Sequence, residues 1–338
     1  MTTEKTEAAY DPNFQSYYQG IKDAINSELK SLLPTIDELK LQRQIKYALQ
    51  TNGKRLRATL VLLSGESAGG NREHLRKLAL AIELLHLATL VHDDILDEDL
   101  FRRNTLSVYA KWNVKEAILV GDILAALALA LCKGYEREIL NVMIDTCMQL
   151  SDGEYNDVEL AKTTLSENEY LRKIEKKSAS LFKAACECGA LAANGSPNEI
   201  TALRFFGENY GLAYQIRDDV LDAEASKNDL QPDANKFRAT LPIIHAYENS
   251  NNKKQALLKG LLSTKTQESL KAFLNELSVN SEKSDSLSYC ASKVDLYADK
   301  AVAGLSPLKE SIFKDYLIQM AESLKLKEPN FGIQKIYL

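Results

Sequence analysis

Two short stretches carry the same arrangement of carboxylates. Asp93, Asp94 and Asp97 in "DDILD", and Asp218, Asp219 and Asp222 in "DDVLD", place acids at i, i+1 and i+4. On a helix the first and last stack one turn apart, and the middle one lies three residues from the last. Three like charges on one face repel, and each set closes a long apolar run, at the helix end that disfavours anions. Something cationic must compensate. Water with Arg102 or Arg103 does part of this; a hard divalent metal fits better, because Mg2+ takes carboxylate oxygens and keeps several waters. One such cluster reads equally well as a solvated helix end. Two are harder to dismiss: if their helices face each other, the clusters line opposite walls of one cavity, where metal can meet a densely anionic ligand such as a diphosphate.

The cations are grouped as well. Lys54, Arg55 and Arg57 follow Gly53, and Arg102 and Arg103 follow the first acidic set. Lys176 and Lys177 precede the apolar turn Ala179–Phe182, and Lys236 and Arg238 follow the second set. Any one basic pair is compatible with a solvated surface. Together with the acids they suit two diphosphates, since arginine grips phosphate oxygens in pairs. Ala88 and Thr89 are small and sit one turn before the first acids, above Leu84 and Leu85. They leave room for an apolar chain along the helix, although ordinary helix packing accounts for two small residues equally well. There is no Gly-rich nucleotide loop, no serine-centred nucleophile elbow and no His-Glu-x-x-His spacing. Cys186 and Cys188 have no second pair at metal-site spacing and read as buried thiols.

The elements that must hold these groups are helical. The chain has seven prolines and no alternating Val/Ile/Thr-rich runs, and it is rich in alanine and leucine. One long helix is expected through "NREHLRKLALAIELLHLATLVHDDILDEDL", and others over roughly 114–133, 136–159, 167–193 and 199–222. Residues 1–13 read as a flexible N-terminal segment and 14–338 as one domain. The fold class is therefore all-α, a large single-domain bundle of long, mostly antiparallel helices around a central cavity. An apolar share of 45% over 338 residues supports a sizeable core. A net charge of −5 excludes a generally basic nucleic-acid surface. The apolar run Glu116–Cys132 is interrupted by Asp122 and reads as a buried bundle helix rather than a transmembrane segment. Five cysteines, an odd number, and no leader peptide point to a reducing, cytoplasmic setting.

These residues resemble the trans-isoprenyl diphosphate synthases, the head-to-tail prenyl chain elongation enzymes. Both aspartate-rich motifs are present, with "GKRLR" at Gly53–Arg57, the pair Arg102-Arg103, "GDIL" at Gly121, "KSASLF" at Lys177 and "GLAYQIRDD" containing Gln215. The likeness runs in order from about Leu41 to Pro242. It implies the isoprenoid synthase fold, a homodimer, and Mg2+-dependent prenyl transfer from an allylic prenyl diphosphate to isopentenyl diphosphate. It implies three Mg2+ ions in the loaded site, with Asp93, Asp97 and Asp218 as ligands. Asp94, Asp219 and Asp222 would support them, Asp222 through water. Arg102, Lys177 and Lys236 would contact the allylic diphosphate, with Lys227 as an outlying cation. Lys54, Arg57, His86 and Arg103 would bind isopentenyl diphosphate, and Gln215 would sit near the reacting carbons.

Four positions depart from the family's usual pattern: Asn104 for glycine, Ala58 for proline, Ser178 for threonine, and "ASKNDLQPDANKFRATLP" after the second motif. Ala88 and Thr89, with Leu84 and Leu85 behind them, resemble the small residues of medium- and long-chain enzymes. The product implied has twenty carbons or more, with twenty-five to forty favoured. A terpene cyclase of the same fold would carry a different second motif. A non-catalytic subunit of a two-part synthase would commonly lose acids or arginines that this chain keeps.

Overall fold

The computed structural model describes residues 12–32, 40–50, 53–160, 166–225, 239–264, 272 and 282–326. In chain order the helices are α1 (Pro12–Ser31), α2 (Gln42–Leu49), α3 (Leu56–Ser67), α4 (Arg72–Leu96), α5 (Val108–Lys111), α6 (Val114–Leu131), α7 (Arg137–Leu160), α8 (Glu167–Ile174), α9 (Ser180–Ala192), α10 (Pro197–Ala225), α11 (Leu241–Glu248), α12 (Asn252–Thr264), α13 (Glu282–Gly304) and α14 (Ile312–Glu322). Between α4 and α5 the strands β1 (Phe101–Arg102) and β2 (Thr105–Leu106) form a small hairpin. The all-α expectation holds.

Each helix buries a face that its spacing dictates. In α1 the buried residues are Phe14, Tyr18, Ile21, Ile25 and Leu29, one stripe at three- and four-residue steps. Helices α3 and α9 are buried almost all round, so they form the centre of the bundle. α4 packs on α3, α6 and α9, while α10 packs on α9 and α13. The two helices bearing the acidic motifs are thus both mounted on α9. Caps set the helix starts. The Asn71 side chain accepts from the Glu73 N–H at 2.9 Å to open α4, and Asn113 accepts from the Glu116 N–H at 2.9 Å to open α6.

Three expectations need correction. The helix through the first motif ends at Leu96 rather than running on to Leu100. Asp97 still holds helical geometry as its cap, but Glu98 turns left-handed at φ 54°. Five acids between Asp93 and Asp99 at a helix C-terminus give the chain good reason to leave the helix. The expected helix 167–193 is divided by a π turn at Glu175–Ala179, which places an extra residue in the turn and re-aims its side chains. Helix α6 buries only one face, with Ala117, Val120, Gly121, Leu124 and Ala128 inside, and leaves Ile118 and Leu119 exposed. Among the described residues Val114–Gly134 is the one stretch apolar and long enough to cross a membrane, with mean hydropathy 2.0 and a third of it buried.

Candidate active site

The first acidic wall is the C-terminal turn of α4. Asp93 is mostly buried, and its Oδ1 has no hydrogen-bond partner. Burial, the neighbouring Glu154 carboxyl and Asp97 push its carboxyl well above the usual range, against the pull of Lys177. Asp94 turns elsewhere: its Oδ1 accepts from Arg102 Nε at 2.5 Å. The hairpin makes this possible. Its two turn residues, Arg103 at φ 51° and Asn104 at φ 64°, both lie in the left-handed region. A two-residue hairpin turn of this kind needs residues that tolerate positive φ, and asparagine is among the best after glycine. Asn104, where the family usually has glycine, meets that requirement.

The second wall is the C-terminal part of α10. Burial and Asp222 raise the Asp218 carboxyl to about 6, with Lys54 and Arg217 pulling the other way. Asp219 is buried and fully engaged: Gln215 Nε2 donates to Oδ1 at 3.0 Å and the Tyr170 hydroxyl donates to Oδ2 at 2.8 Å. Gln215 in turn accepts from the Ser178 hydroxyl at 2.6 Å. Serine here keeps the hydroxyl that the family's threonine would supply.

The π turn joins the two walls. Lys177 Nζ lies 2.6 Å from Asp157 Oδ2 and 2.8 Å from Glu154 Oε2, on the Asp93 side. The next residue, Ser178, holds Gln215 on the Asp219 side. Consecutive residues thus reach α7, beside Asp93, and α10, beside Asp219. Burial opposes the Lys177 charge, yet Asp157, Glu154 and Asp93 hold its ammonium above the usual lysine range. Asp157 also takes Lys173 at 2.8 Å, and although burial alone would raise it, the two ammonium groups keep its carboxyl below the usual range. Gly153 allows this contact. A Cβ there would sit 2.5 Å from the Lys177 backbone nitrogen, so any side chain would force α7 and the π turn apart.

A cavity of about 640 Å³ opens beside these walls. Lys54, Arg57, His86 and Arg103 all line it, together with Glu83 and Tyr214. The Arg57 guanidinium lies over the Phe182 ring at 4.1 Å and contacts His86 Nε2 at 3.1 Å. Arginine has only donors, so Nε2 must accept and the ring proton sits on Nδ1. Burial and the Arg57, Arg103, Arg55 and Arg102 charges hold the His86 pKa well below its ordinary value, so the ring is neutral. The Arg103 guanidinium lies over Gly53, 2.7 Å from where a Cβ would stand.

Of the residues expected from sequence, Lys54, Arg57, His86 and Arg103 converge on this cavity. Asp93 and Lys177 meet, as do Gln215 and Asp219. Arg102 reaches Asp94 rather than open space, and Asp94 and Asp219 are committed to protein partners. Asp97 and Asp222 stand one turn beyond them, Asp222 exposed. Leu84, Leu85 and Ala88 are buried, and Thr89 bonds back to the His86 carbonyl at 2.8 Å. Lys227, Lys236 and Arg238 lie outside the described residues. Sequence reasoning missed Tyr170, Glu154, Asp157, Lys173, Glu83 and Tyr214. Glu154 and Asp157 had a signal in "DGEYND", acids at three-residue spacing beside a glycine.

Among the described residues no group of three or more His, Cys, Asp or Glu is gathered tightly enough to form a metal cage. Mg2+ does not need one, since it is commonly held by one or two carboxylates plus substrate phosphates and water. The orphaned Asp93 Oδ1 and the raised Asp218 carboxyl are what such a cation would satisfy. The residues therefore fit the metal.

The all-helical bundle has the fold of solved prenyl synthases, and its two acidic helix ends lie near a cationic cavity. A sequence model of the polyprenyl synthetase family matches residues 38–277. The chain is 33% identical over 260 residues to a short chain isoprenyl diphosphate synthase of Methanothermobacter thermautotrophicus, covering 74% of this chain and 79% of that protein. It is 30% identical over 327 residues to an octaprenyl diphosphate synthase of Haemophilus influenzae, covering 95% and 96%. The crystal structure of a geranylgeranyl pyrophosphate synthetase from Pyrococcus horikoshii superimposes with a TM-score of 0.81 at 29% identity, covering 94% of this chain and all of that one. The chain belongs to the polyprenyl synthetase family.

Proposed function

We propose that the protein is a trans-prenyl diphosphate synthase. It joins isopentenyl diphosphate to an allylic prenyl diphosphate and releases diphosphate. The observation that carries this reading is the π turn, where Lys177 bonds Asp157 and Glu154 beside Asp93, while the next residue, Ser178, bonds the Gln215 that holds Asp219.

Lys177 and Arg102 hold the allylic diphosphate at the Asp93 wall, each kept in place by neighbouring carboxylates. Lys54, Arg57 and Arg103 seat the second diphosphate in the cavity, and neutral His86 offers its Nδ1 proton without competing for Arg57. Asp93, Asp97 and Asp218 would hold Mg2+, with Asp222 acting through water, and the bound metal would supply positive charge that stabilises a departing diphosphate. The allylic C–O bond breaks, the isopentenyl double bond forms the new C–C bond, and a proton leaves the adduct to the released diphosphate. The protein contributes alignment and fixed charge rather than a nucleophile. Gln215, pinned by Ser178 and Asp219, presents a rigid amide beside the reacting carbons. The buried approach through α4 excludes water from the allylic cation.

Product length follows the space along α4. Leu85, Thr89 and Asp93 share a face at four-residue steps, and Ala88 borders it. Small residues at 88 and 89 favour a product of twenty carbons or more, with twenty-five to forty preferred. The relatives span short-chain to nonaprenyl enzymes, in keeping with a range set by a few side chains. The protein acts as a homodimer, a reading favoured by the exposed apolar side chains Ile118 and Leu119 on α6 and Ile144, Met148 and Tyr155 on the neighbouring α7. Its free thiols suit a reducing cytoplasm.

Incubating the purified protein with Mg2+, isopentenyl diphosphate and each allylic starter, then separating the products by chain length, tests the reading. Elongated prenyl diphosphates with stoichiometric diphosphate release support it. A cyclised hydrocarbon, or activity only with a second polypeptide, points to the alternatives.

A further inference from the structure

We infer that Glu83 and Arg55 form a positioning pair that sets the cation-bearing loop of the isopentenyl diphosphate pocket. The inference rests on the proposed function and concerns residues that would act without touching substrate. Glu83 is 1% exposed and Arg55 4%, yet both border the cavity. Arg55 NH1 meets Glu83 Oε2 at 3.4 Å, and Arg55 Nε donates to the Asn26 side chain of α1 at 2.9 Å.

The second carboxylate oxygen does a different job. Glu83 Oε1 accepts from the Ala58 N–H at 3.3 Å, in the first turn of α3. Helix α3 has no side-chain cap of its own; its cap position is Arg55, left-handed at φ 55°. That conformation is disfavoured for a residue with a Cβ. Glu83 therefore takes up an orphan helix donor and anchors the strained residue before it. The bond requires an N–H at position 58, which alanine has and the family's usual proline lacks.

The consequence for the pocket is geometric. Lys54 and Arg57 flank Arg55 and lie three residues apart, and Glu83 is three residues before His86, on the same face of α4. One buried carboxylate thus fixes the α3 loop to the α4 turn, and with it the spacing of Lys54, Arg57 and His86. It also keeps the Arg55 charge paired with protein, leaving the pocket's remaining cations to the diphosphate. Buried pairs of this kind specify geometry at the cost of desolvation, and removing one member leaves the other uncompensated.

The test is steady-state kinetics on Glu83→Gln, Arg55→Gln and the double variant, with melting temperatures measured alongside. Glutamine at 83 keeps the shape and the bond to Ala58 but not the charge. Each single variant should raise KM for isopentenyl diphosphate about tenfold, the order of one misplaced charged hydrogen bond. KM for the allylic substrate and kcat should stay within about twofold, and the double variant should be no worse than either single one. A merely structural pair would lower the active fraction without moving one KM alone. A folded Glu83→Gln with an unchanged isopentenyl KM, or additive effects in the double variant, would overturn the inference. If Glu83→Gln fails to fold, Arg55→Gln decides the matter by the same criterion. Absence of product from the unmodified protein would instead refute the proposed function.

Discussion

Arg57→Gln separates the two substrate sites most cleanly. Arg57 lies between Phe182, 4.1 Å from its ring centroid, and His86 Nε2 at 3.1 Å, in the wall of the cationic cavity. A hydrogen bond to a charged group is worth about 1.5–3 kcal/mol, and 1.4 kcal/mol is a factor of ten. Losing the guanidinium should therefore raise KM for isopentenyl diphosphate roughly 10- to 100-fold. Stability should change little. The lost contact with Phe182 removes about 1–2 kcal/mol, while the cost of keeping a cation out of water is removed with it. A melting temperature within a few degrees of the parent is expected. The assay varies isopentenyl diphosphate at saturating allylic substrate, and then the reverse. An allylic KM that rises as much as the isopentenyl KM, or an isopentenyl KM within twofold of the parent, would refute the assignment of this cavity.

Four other outcomes follow from the same geometry. Ala88→Phe should shorten the product by at least one isoprene unit on chromatography; an unchanged distribution would place the chain elsewhere. Gly153→Ala, whose Cβ would stand 2.5 Å from the Lys177 backbone nitrogen, should weaken allylic substrate binding about tenfold or more. An unaffected allylic KM would show that the π turn tolerates displacement. Tyr170→Phe leaves one Asp219 oxygen without its donor, and should cost about 1–3 kcal/mol of stability by chemical denaturation. Finally, stability should depend on His86. Its folded pKa lies below its unfolded value of about 6.5. As pH falls below about 6.5 the unfolded chain takes up a proton that the folded ring refuses, so stability drops with falling pH, by at most about 1.4 kcal/mol per unit. His86→Gln should flatten that slope in denaturation curves between pH 5 and 7; an identical slope would remove His86 from the account.

The sequence spoke clearly wherever spacing alone determines placement. Acids at i and i+4 on a helix must share a face, so both walls were readable, as were the cations after Gly53 and the pair at Arg102. It spoke less clearly where partners come from distant segments. Tyr170 meets Asp219 across 49 residues, and Lys177 meets Asp157 and Glu154 from another helix. Nothing in local spacing announces such pairs. The π turn was also hidden, because Glu175–Ala179 has the composition of ordinary helix and only its neighbours reveal the extra residue. The short hairpin was missed for a similar reason: two-residue strands carry no alternating pattern. Arg55 shows the remaining limit. It sits among cations that face the cavity, yet its partner Glu83 turns it into protein.

The central claim is that two acidic walls and their neighbouring cations work together on two diphosphates. Pre-steady-state mixing of the purified protein with Mg2+, radiolabelled isopentenyl diphosphate and an allylic starter tests it directly. The account predicts one diphosphate released for each isoprene unit added, with Asp93→Asn and Asp218→Asn each abolishing both events together. Chain elongation that survives either substitution at the parent rate would contradict it.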